Sequence, residues 1–501
     1  METAKSKDEI NTLFETVVEG GYCIGCGACT AVQGSPVSIK LDEYGRFCAT
    51  LDIGPELKGT KVRVLSVCPF SDQALNENVL GQQLYGEKAA FDDRIGYHLT
   101  TYAGFVAEMD FRGHGSSGGM GKWILHELFR EDLVDAVIQV RQNTATRSNR
   151  LLYCYSVASS LSEIRSGSKS VYYPVEMCGV LRHIKEHPGR YAIVGIPCFI
   201  KAVRLLTMHE PVFKERIRFC VGLICGHLKS TKYADMIAWQ CEIDPGNLIA
   251  IDFRRKLHGR KANMKGVEVV GLRNNEKVSR VGVVQDFFGT DYNYGFFKYQ
   301  ACDFCDDVVA ETADVSVGDA WLPEYLEDGR GTNVIIVRHP EIQHLIERGM
   351  SLRRLHMESI SPDRVVKSQE AGFRHRREGL AYRLSLKDRA GIWRPKKRIK
   401  AQHNHLNKTR RRIYQLRVEM TYKSHEAFEN AVKAGSFSVF QNEMGALLWK
   451  YTNLPGDKPP LWQLVLTFAL RKITSMMGFP LLHKIQWPKH SNDNPNRKHR
   501  N

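Results

Sequence analysis

The sequence has no apolar run long enough to cross a membrane. Its longest, LWQLVLTFAL over Leu461–Leu470, meets Arg471 and Lys472 well short of the roughly 18 uncharged residues a spanning helix needs. The N-terminus, METAKSKDEINTLFETVVEGG, carries charges where a secretory leader needs about 7–15 apolar residues. Both absences predict a cytoplasmic chain. Histidine is missing before His98, so the cysteines near the N-terminus have no imidazole beside them. Acidic residues are in short supply, 55 Asp and Glu against 71 Lys and Arg, which leaves a net charge of +16. The 13 cysteines do not pair off evenly, and in a reducing compartment such thiols point to metal binding or redox chemistry rather than structural disulfides. No internal repeat is apparent. Hydrophobic residues at 43% and charged residues at 25% exclude a wholly disordered or collagenous chain.

A length of 501 residues allows about three domains. The expected fold is an α/β core with a mixed or parallel sheet, preceded by a small ferredoxin-like module and followed by a mostly helical basic extension. Residues 1–95 are turn-rich and cysteine-punctuated, with the alternating stretches VSIKL and RFCATL. Residues 96–185 open the core: YAGFVAEM is strand-like, RGHGSSGGMG is a glycine-rich loop, GKWILHELFRED has helical spacing and VDAVIQV is a β-branched run suited to a buried strand. Residues 186–383 continue it with RYAIVGIPC, a helical FIKAVRLLTMHE, IRFCVGLICGH and a further strand, DVSVG, before Asp319; alternating strands and helices predict α/β architecture. Residues 384–501 hold much of the surplus charge, with Lys396, Lys397, Arg398 and Arg410–Arg412 among their cations, and end in a polar tail, PKHSNDNPNRKHRN, expected to be disordered.

Cys23, Cys26 and Cys29 form C-x2-C-x2-C, and Cys68 is followed by Pro69, which are the ingredients of a bacterial ferredoxin run. Gly25 and Gly27 let the loop curl and aim backbone N–H groups at sulfur. One cluster closed over a long loop is expected, with Cys48 as the rival fourth ligand. Zinc is the alternative, although three close thiolates without histidine fit it poorly. Cys198 and Cys225 each end an apolar run, and a helical crossover between parallel strands would bring both to one edge of the sheet. Cys302 and Cys305 add a C-x2-C loop, so four thiols are available for a second tetrahedral site, for which zinc remains open. Cys154, Cys178, Cys220 and Cys241 lack partners in the sequence and are read as core residues.

Gly113, Gly115 and Gly118 satisfy G-x-G-x-x-G between a strand and a helix, where amides and a helix N-terminus can cradle a pyrophosphate. The ribose-binding acid of a nicotinamide site is not cleanly placed, and a flavin dinucleotide phosphate is as good a guest. The segment Arg165–Ser170 offers a cation and hydroxyls for another phosphate or ribityl group. An ordinary cap turn and a solvated loop are the plain alternatives for these two segments.

Together SSGGM, GSKSVYYPVEM, VGIPCFIKAVRLL, GLICGH, DFRRK, CDFC and ADVSVGDAW resemble the family of coenzyme F-420 hydrogenase/dehydrogenase beta subunits, over a span of about Gly21 to Arg338. Its members include deazaflavin-reducing subunits and the similar 7-hydroxymethyl chlorophyll a reductases, and others look like oxidoreductases encoded beside exopolysaccharide genes. The resemblance implies an oxidoreductase with FAD and two 4Fe-4S clusters. By position it supports Cys23, Cys26, Cys29 and Cys68 for one cluster and Cys198, Cys225, Cys302 and Cys305 for the other. It places Ser117, Gly118, Gly119, Ser168 and Lys169 on flavin-binding segments. Expected partners are an external electron donor such as a ferredoxin or a reduced deazaflavin, and a small-molecule substrate, deazaflavin-like or a polysaccharide-pathway intermediate. Basic residues upstream of an amphipathic stretch around Trp462–Leu482 could hold the chain at the inner face of a membrane. The competing class is a zinc-stabilised binding protein with a basic tail contacting nucleic acid or a membrane; no DNA- or RNA-binding motif supports nucleic acid.

Overall fold

The computed structural model describes residues 9–52, 62–143 and 151–454. The first thiol segment leads into an antiparallel hairpin, β1 (Val37–Leu41) and β2 (Phe47–Leu51), with Val37 opposite Leu51 and Leu41 opposite Phe47. A small ribbon follows, β3 (Ala90–Asp92) and β4 (Gly96–His98). The next strands are β5 (Thr100–Val106), β6 (Ala136–Gln142), β7 (Tyr153–Ala158), β8 (Tyr191–Gly195) and β9 (Ile217–Leu223). Then come a three-stranded meander, β10 (Leu248–Arg255), β11 (Gly266–Arg273) and β12 (Glu276–Val283), and finally β13 (Val315–Asp319), β14 (Asn333–Val337) and β15 (Leu355–Ser359).

Eight of these strands make one sheet in the order β15-β5-β14-β13-β9-β8-β6-β7. Its centre, β13-β9-β8-β6, is parallel, while β7 on one flank and β14, β5 and β15 on the other pair antiparallel. Of the two expected arrangements, the sheet is therefore mixed. The central strands are mostly apolar on both faces because both are covered. In β8, Tyr191 and Ile193 join one buried cluster and Ala192 the other; in β9, Ile217 and Cys220 take the first face and Phe219 and Val221 the second. From Phe219 on this is the period-two alternation of a pleated strand; Ile217 breaks it at the register shift between the Tyr191–Ile217 and Ala192–Phe219 pairs.

Helices cover both faces. Pro197–His209 starts with proline in its first turn, where the missing N–H costs nothing, and with Pro211–Arg216 it forms the crossover from β8 to β9. On the opposite face, Met120–Arg130 buries Trp123, Ile124 and Leu128. The first cluster also takes in Leu13, Val17 and Ala49 of the N-terminal segment and Leu380 and Leu384 of the helix Leu380–Arg389, so both segments share a core with the sheet. The helix Lys408–Ala434 is capped by Asn407, whose side chain accepts the Arg410 N–H at 2.8 Å, and is stopped by Gly435 at φ 63°.

Residues Met1–Leu448 form one compact unit; a second, Trp449–Asn501, is described only to residue 454. The amphipathic stretch around Trp462–Leu482 and the polar tail lie outside the described residues. No described helix is long and apolar enough to cross a membrane. Part of the basic extension is built into the fold. Lys397 and Arg398 are buried against Asp306, Glu77 and Glu311, while Arg394 pairs with Asp388 and Arg410 with Glu378. Acids distant in sequence have drawn these cations into the fold.

Candidate functional site

Cys23, Cys26, Cys29 and Cys68 line one cavity with Ile39 and Phe70. The loop that carries the first three turns through Gly25 at φ 63° and Gly27 at φ 87°, a region in which a side chain is strained. A Cβ on Gly27 would also lie 2.7 Å from the Cys178 sulfur. Backbone N–H groups point at the thiols: Ala49 donates to Cys23 Sγ at 3.3 Å, with Gly25 beside it, Ala28 serves Cys26, and Phe70 and Ser71 serve Cys68. Burial nevertheless pushes Cys26 and Cys29 well up and Cys68 up to about 12. Cys23 is instead held at about 7 because the Cys48 thiol donates to it. Cys48 thus sits against Cys23 but is not part of the cavity wall. Cys178, read from sequence as a core residue, opens the helix Cys178–Glu186 and is an electrostatic neighbour of Cys26 and Cys29. Nothing in the sequence signals that approach.

The other four thiols come from separate elements. Cys198 sits in the first turn of Pro197–His209, just past β8; Cys225 follows β9; Cys302 and Cys305 lie in and after the turn Gln300–Phe304. The parallel pair β8 and β9 thus delivers two thiols to one edge of the sheet, as the crossover argument expects. Cys198 is pushed well up by burial and then by Cys305, Cys225 and Cys302, and Cys302 reaches about 12 from burial. The two groups adjoin: Cys26 also bears on Cys198, and both bear on Tyr155, whose hydroxyl donates to the Val194 carbonyl at 2.9 Å.

Among the described residues, no three His, Cys, Asp or Glu side chains are gathered closely enough to hold a metal ion as they stand. Thiols spread around a cavity fit a polynuclear cluster, which sets its own atoms between them. Buried thiols raised above neutral pH also need a cationic centre before they ionise, and a bound metal centre supplies one.

A cleft of about 440 Å³ lies beside the glycine-rich loop, with Lys122, Arg165, Ser168, Lys169, Asp252 and Phe253 in its walls. Lys169 Nζ pairs with Asp252 at 2.8 Å. Ser116 Oγ accepts the Ser170 N–H at 2.7 Å and ties the two loops together. Ser168 and Lys169 therefore face the cleft, whereas Ser117, Gly118 and Gly119 build the turn behind it. Ser117 is buried and donates to the Thr332 carbonyl at 2.9 Å, a Cβ on Gly118 would lie 2.7 Å from the Gly104 carbonyl, and Gly119 at φ 90° precedes the helix Met120–Arg130.

Sequence reasoning missed Lys122 in the cleft wall and two cations that hold carbonyls of the glycine-rich turn. Lys256 Nζ donates to the Ser117 carbonyl at 2.9 Å, and Arg254 pairs with Asp319 at 2.7 Å; both belong to DFRRK, a strand end whose local pattern carries no sign of a cleft. Burial first, and then neighbouring cations, bring Lys256 down to about 7 and Lys122 and Lys265 to about 8. Such crowding of cations suits a multiply charged anion.

The models of the coenzyme F-420 hydrogenase/dehydrogenase beta subunit match this chain, the N-terminal one over residues 101–182 and the C-terminal one over 189–363. A subunit of the F(420)H(2) dehydrogenase of Methanosarcina mazei is 21% identical over 335 residues, 64% of this chain and 80% of that one. An uncharacterized protein of Methanocaldococcus jannaschii is 24% identical over 357 residues, 65% and 86% of the two chains. A chain in the xenon-derivatised F-420-reducing nickel–iron hydrogenase complex of Methanosarcina barkeri superposes with a TM-score of 0.45 at 14% identity, covering 63% of this chain and 100% of that one. Matched in order by both parts of the model, across the whole sheet and its crossovers, the chain belongs to the family of coenzyme F-420 hydrogenase/dehydrogenase beta subunits.

Proposed function

We propose that this oxidoreductase-family chain is an iron–sulfur flavoprotein. Cys23, Cys26, Cys29 and Cys68 would hold one 4Fe-4S cluster, and Cys198, Cys225, Cys302 and Cys305 a second. The observation that carries the reading is that thiols far apart in sequence assemble into two adjoining groups, in a fold that also carries a cleft of about 440 Å³ walled by Lys122, Arg165 and Lys169. Lys122, Lys169 and the Ser168 hydroxyl would bind the diphosphate of FAD by charge and hydrogen bonds. When bound, FAD supplies the exchange between single electrons and a hydride.

The chain's own work is placement and exclusion of water. The helices Pro197–His209 and Leu380–Arg389 pack against the thiol loops in one apolar core, and the backbone N–H groups at Cys23, Cys26 and Cys68 offset thiolate charge. The proposed donor is a ferredoxin-like protein or a reduced deazaflavin, and the proposed substrate is deazaflavin-like or a polysaccharide-pathway intermediate. The name of the Methanosarcina mazei relative, one subunit of a dehydrogenase, supports a protein partner. The test is anaerobic purification with metal and flavin analysis. Iron and sulfide for two clusters and one FAD per chain are expected; zinc alone without flavin overturns the reading.

A further inference from the structure

Arg376 lies beyond the residues matched by the family models, in the helical turn His375–Gly379, and is 2% exposed. Its guanidinium donates to the Cys225 carbonyl at 2.5 Å and to the Gly226 carbonyl at 2.8 Å, and its Nε has no partner. Nearby Arg398 is clamped by Glu311 at 2.6 Å, whereas no carboxylate lies within ion-pair distance of Arg376 among the described residues. The groups that weigh most on its charge are the thiols of Cys305, Cys225 and Cys302, ahead of the Asp307 carboxyl. Asp307 is occupied in accepting the N–H groups of Val309 and Glu311 at 2.9 and 3.0 Å; Asp306 is taken up by Lys397 and Arg398.

A guanidinium held out of water without a counter-ion is a large desolvation cost, and the fold keeps one against three thiols. We propose that Arg376 is the counter-cation of the cluster held by Cys198, Cys225, Cys302 and Cys305, and that it sets that cluster's reduction potential. The proposal rests on the reading that this site holds a 4Fe-4S cluster. Reduction adds one electron and no proton and breaks no bond, so the net negative charge of the thiolate-ligated cluster rises by one. A fixed positive charge in a low-dielectric site therefore favours the reduced form. Arg376 is a positioning and tuning residue; it exchanges neither the electron nor a proton.

The test is a redox titration of the anaerobically purified full chain, followed by electron paramagnetic resonance, for the parent, Arg376→Gln and Arg376→Lys. In Arg376→Gln one of the two cluster signals should move to a more negative potential, by at least a tenfold loss in the reduction equilibrium, which is about 59 mV for a one-electron couple. The other signal should stay in place, and Arg376→Lys should recover most of the shift. Unchanged potentials in Arg376→Gln with full iron refute the proposal. If Arg376→Gln loses iron, retention of iron by Arg376→Lys supports a requirement for charge, and loss from both refutes it in favour of a packing role. A parent protein without iron would instead refute the cluster reading itself.

Discussion

Replacing Arg398 with methionine distinguishes a cation built into the fold from one on a docking arm. Arg398 Nη1 and Nη2 lie 2.6 and 2.8 Å from the two carboxylate oxygens of Glu311, and Nε lies 3.4 Å from both Glu77 and Asp306. Methionine keeps most of the stem but leaves three buried carboxylates. Their remaining cations are Lys201 on Glu77 at 3.1 Å, Lys397 on Asp306 at 3.7 Å and Arg377 on Glu311 at 3.9 Å. Removing one partner from a buried ionic network costs about 3–5 kcal/mol. At about 2.1 cal/mol/K per residue, the compact unit Met1–Leu448 has an unfolding entropy of about 0.9 kcal/mol/K, so the melting temperature should fall by about 3–5 °C. Circular dichroism during heating of the full chain reads this directly. Arg330→Met is the control: Arg330 is 71% exposed and pairs with Asp328 at 3.0 Å, so a shift of about 1 °C or less is expected. A melting temperature for Arg398→Met within about 1 °C of the parent would refute the buried-network argument.

Further outcomes follow from the thiols and the cleft. Cys48→Ser should keep the full iron complement and Cys68→Ser should lose one cluster; the reverse pattern of iron per chain would make Cys48 the fourth ligand. Gly27→Ala combines a left-handed backbone, about 1–2 kcal/mol of strain, with a clash against the Cys178 sulfur 2.7 Å away. It should lower iron at the first site only, and full iron in that variant would show that the loop adapts. Lys169→Ala should weaken FAD binding to the apoprotein at least tenfold in a flavin-fluorescence titration, and an unchanged affinity would remove Lys169 from the site. Parent affinity should also fall as pH rises from about 7 to 9. Burial and the neighbouring Lys169 hold Lys122, in the cleft wall, at about 8, an anion binds its charged form, and that form is depleted above this value. A dissociation constant flat across that range would exclude Lys122 as an anion partner.

Local and periodic features were legible in the chain itself. The C-x2-C-x2-C spacing with its two glycines defines a loop whose thiols must lie close together, because a few residues cannot spread far. The runs YAIVG and IRFCVGL identify buried strands, since a sheet covered on both faces is apolar at nearly every position, and the helix between them fixes a parallel crossover that delivers Cys198 and Cys225 to one edge. The glycine-rich loop was legible as a turn between strand and helix. Its Ser117, Gly118 and Gly119 are spent on the turn itself, and only the tertiary fold shows that the facing wall belongs to Ser168 and Lys169.

What the sequence could not show are contacts between residues tens to hundreds of positions apart. Tertiary packing alone set Cys178 against Gly27, joined Ser116 to Ser170, and drew Arg376 under Cys225. The basic run reads as solvated because its acidic partners, Glu77, Asp306 and Glu311, lie far upstream. Pattern and spacing determine strands, turns and local ligand loops, because these depend on chain geometry over a few residues. Which charges are buried, and which thiols meet, is decided only when the sheet and the C-terminal helices close, because an ion's cost out of water depends on what the whole fold places beside it.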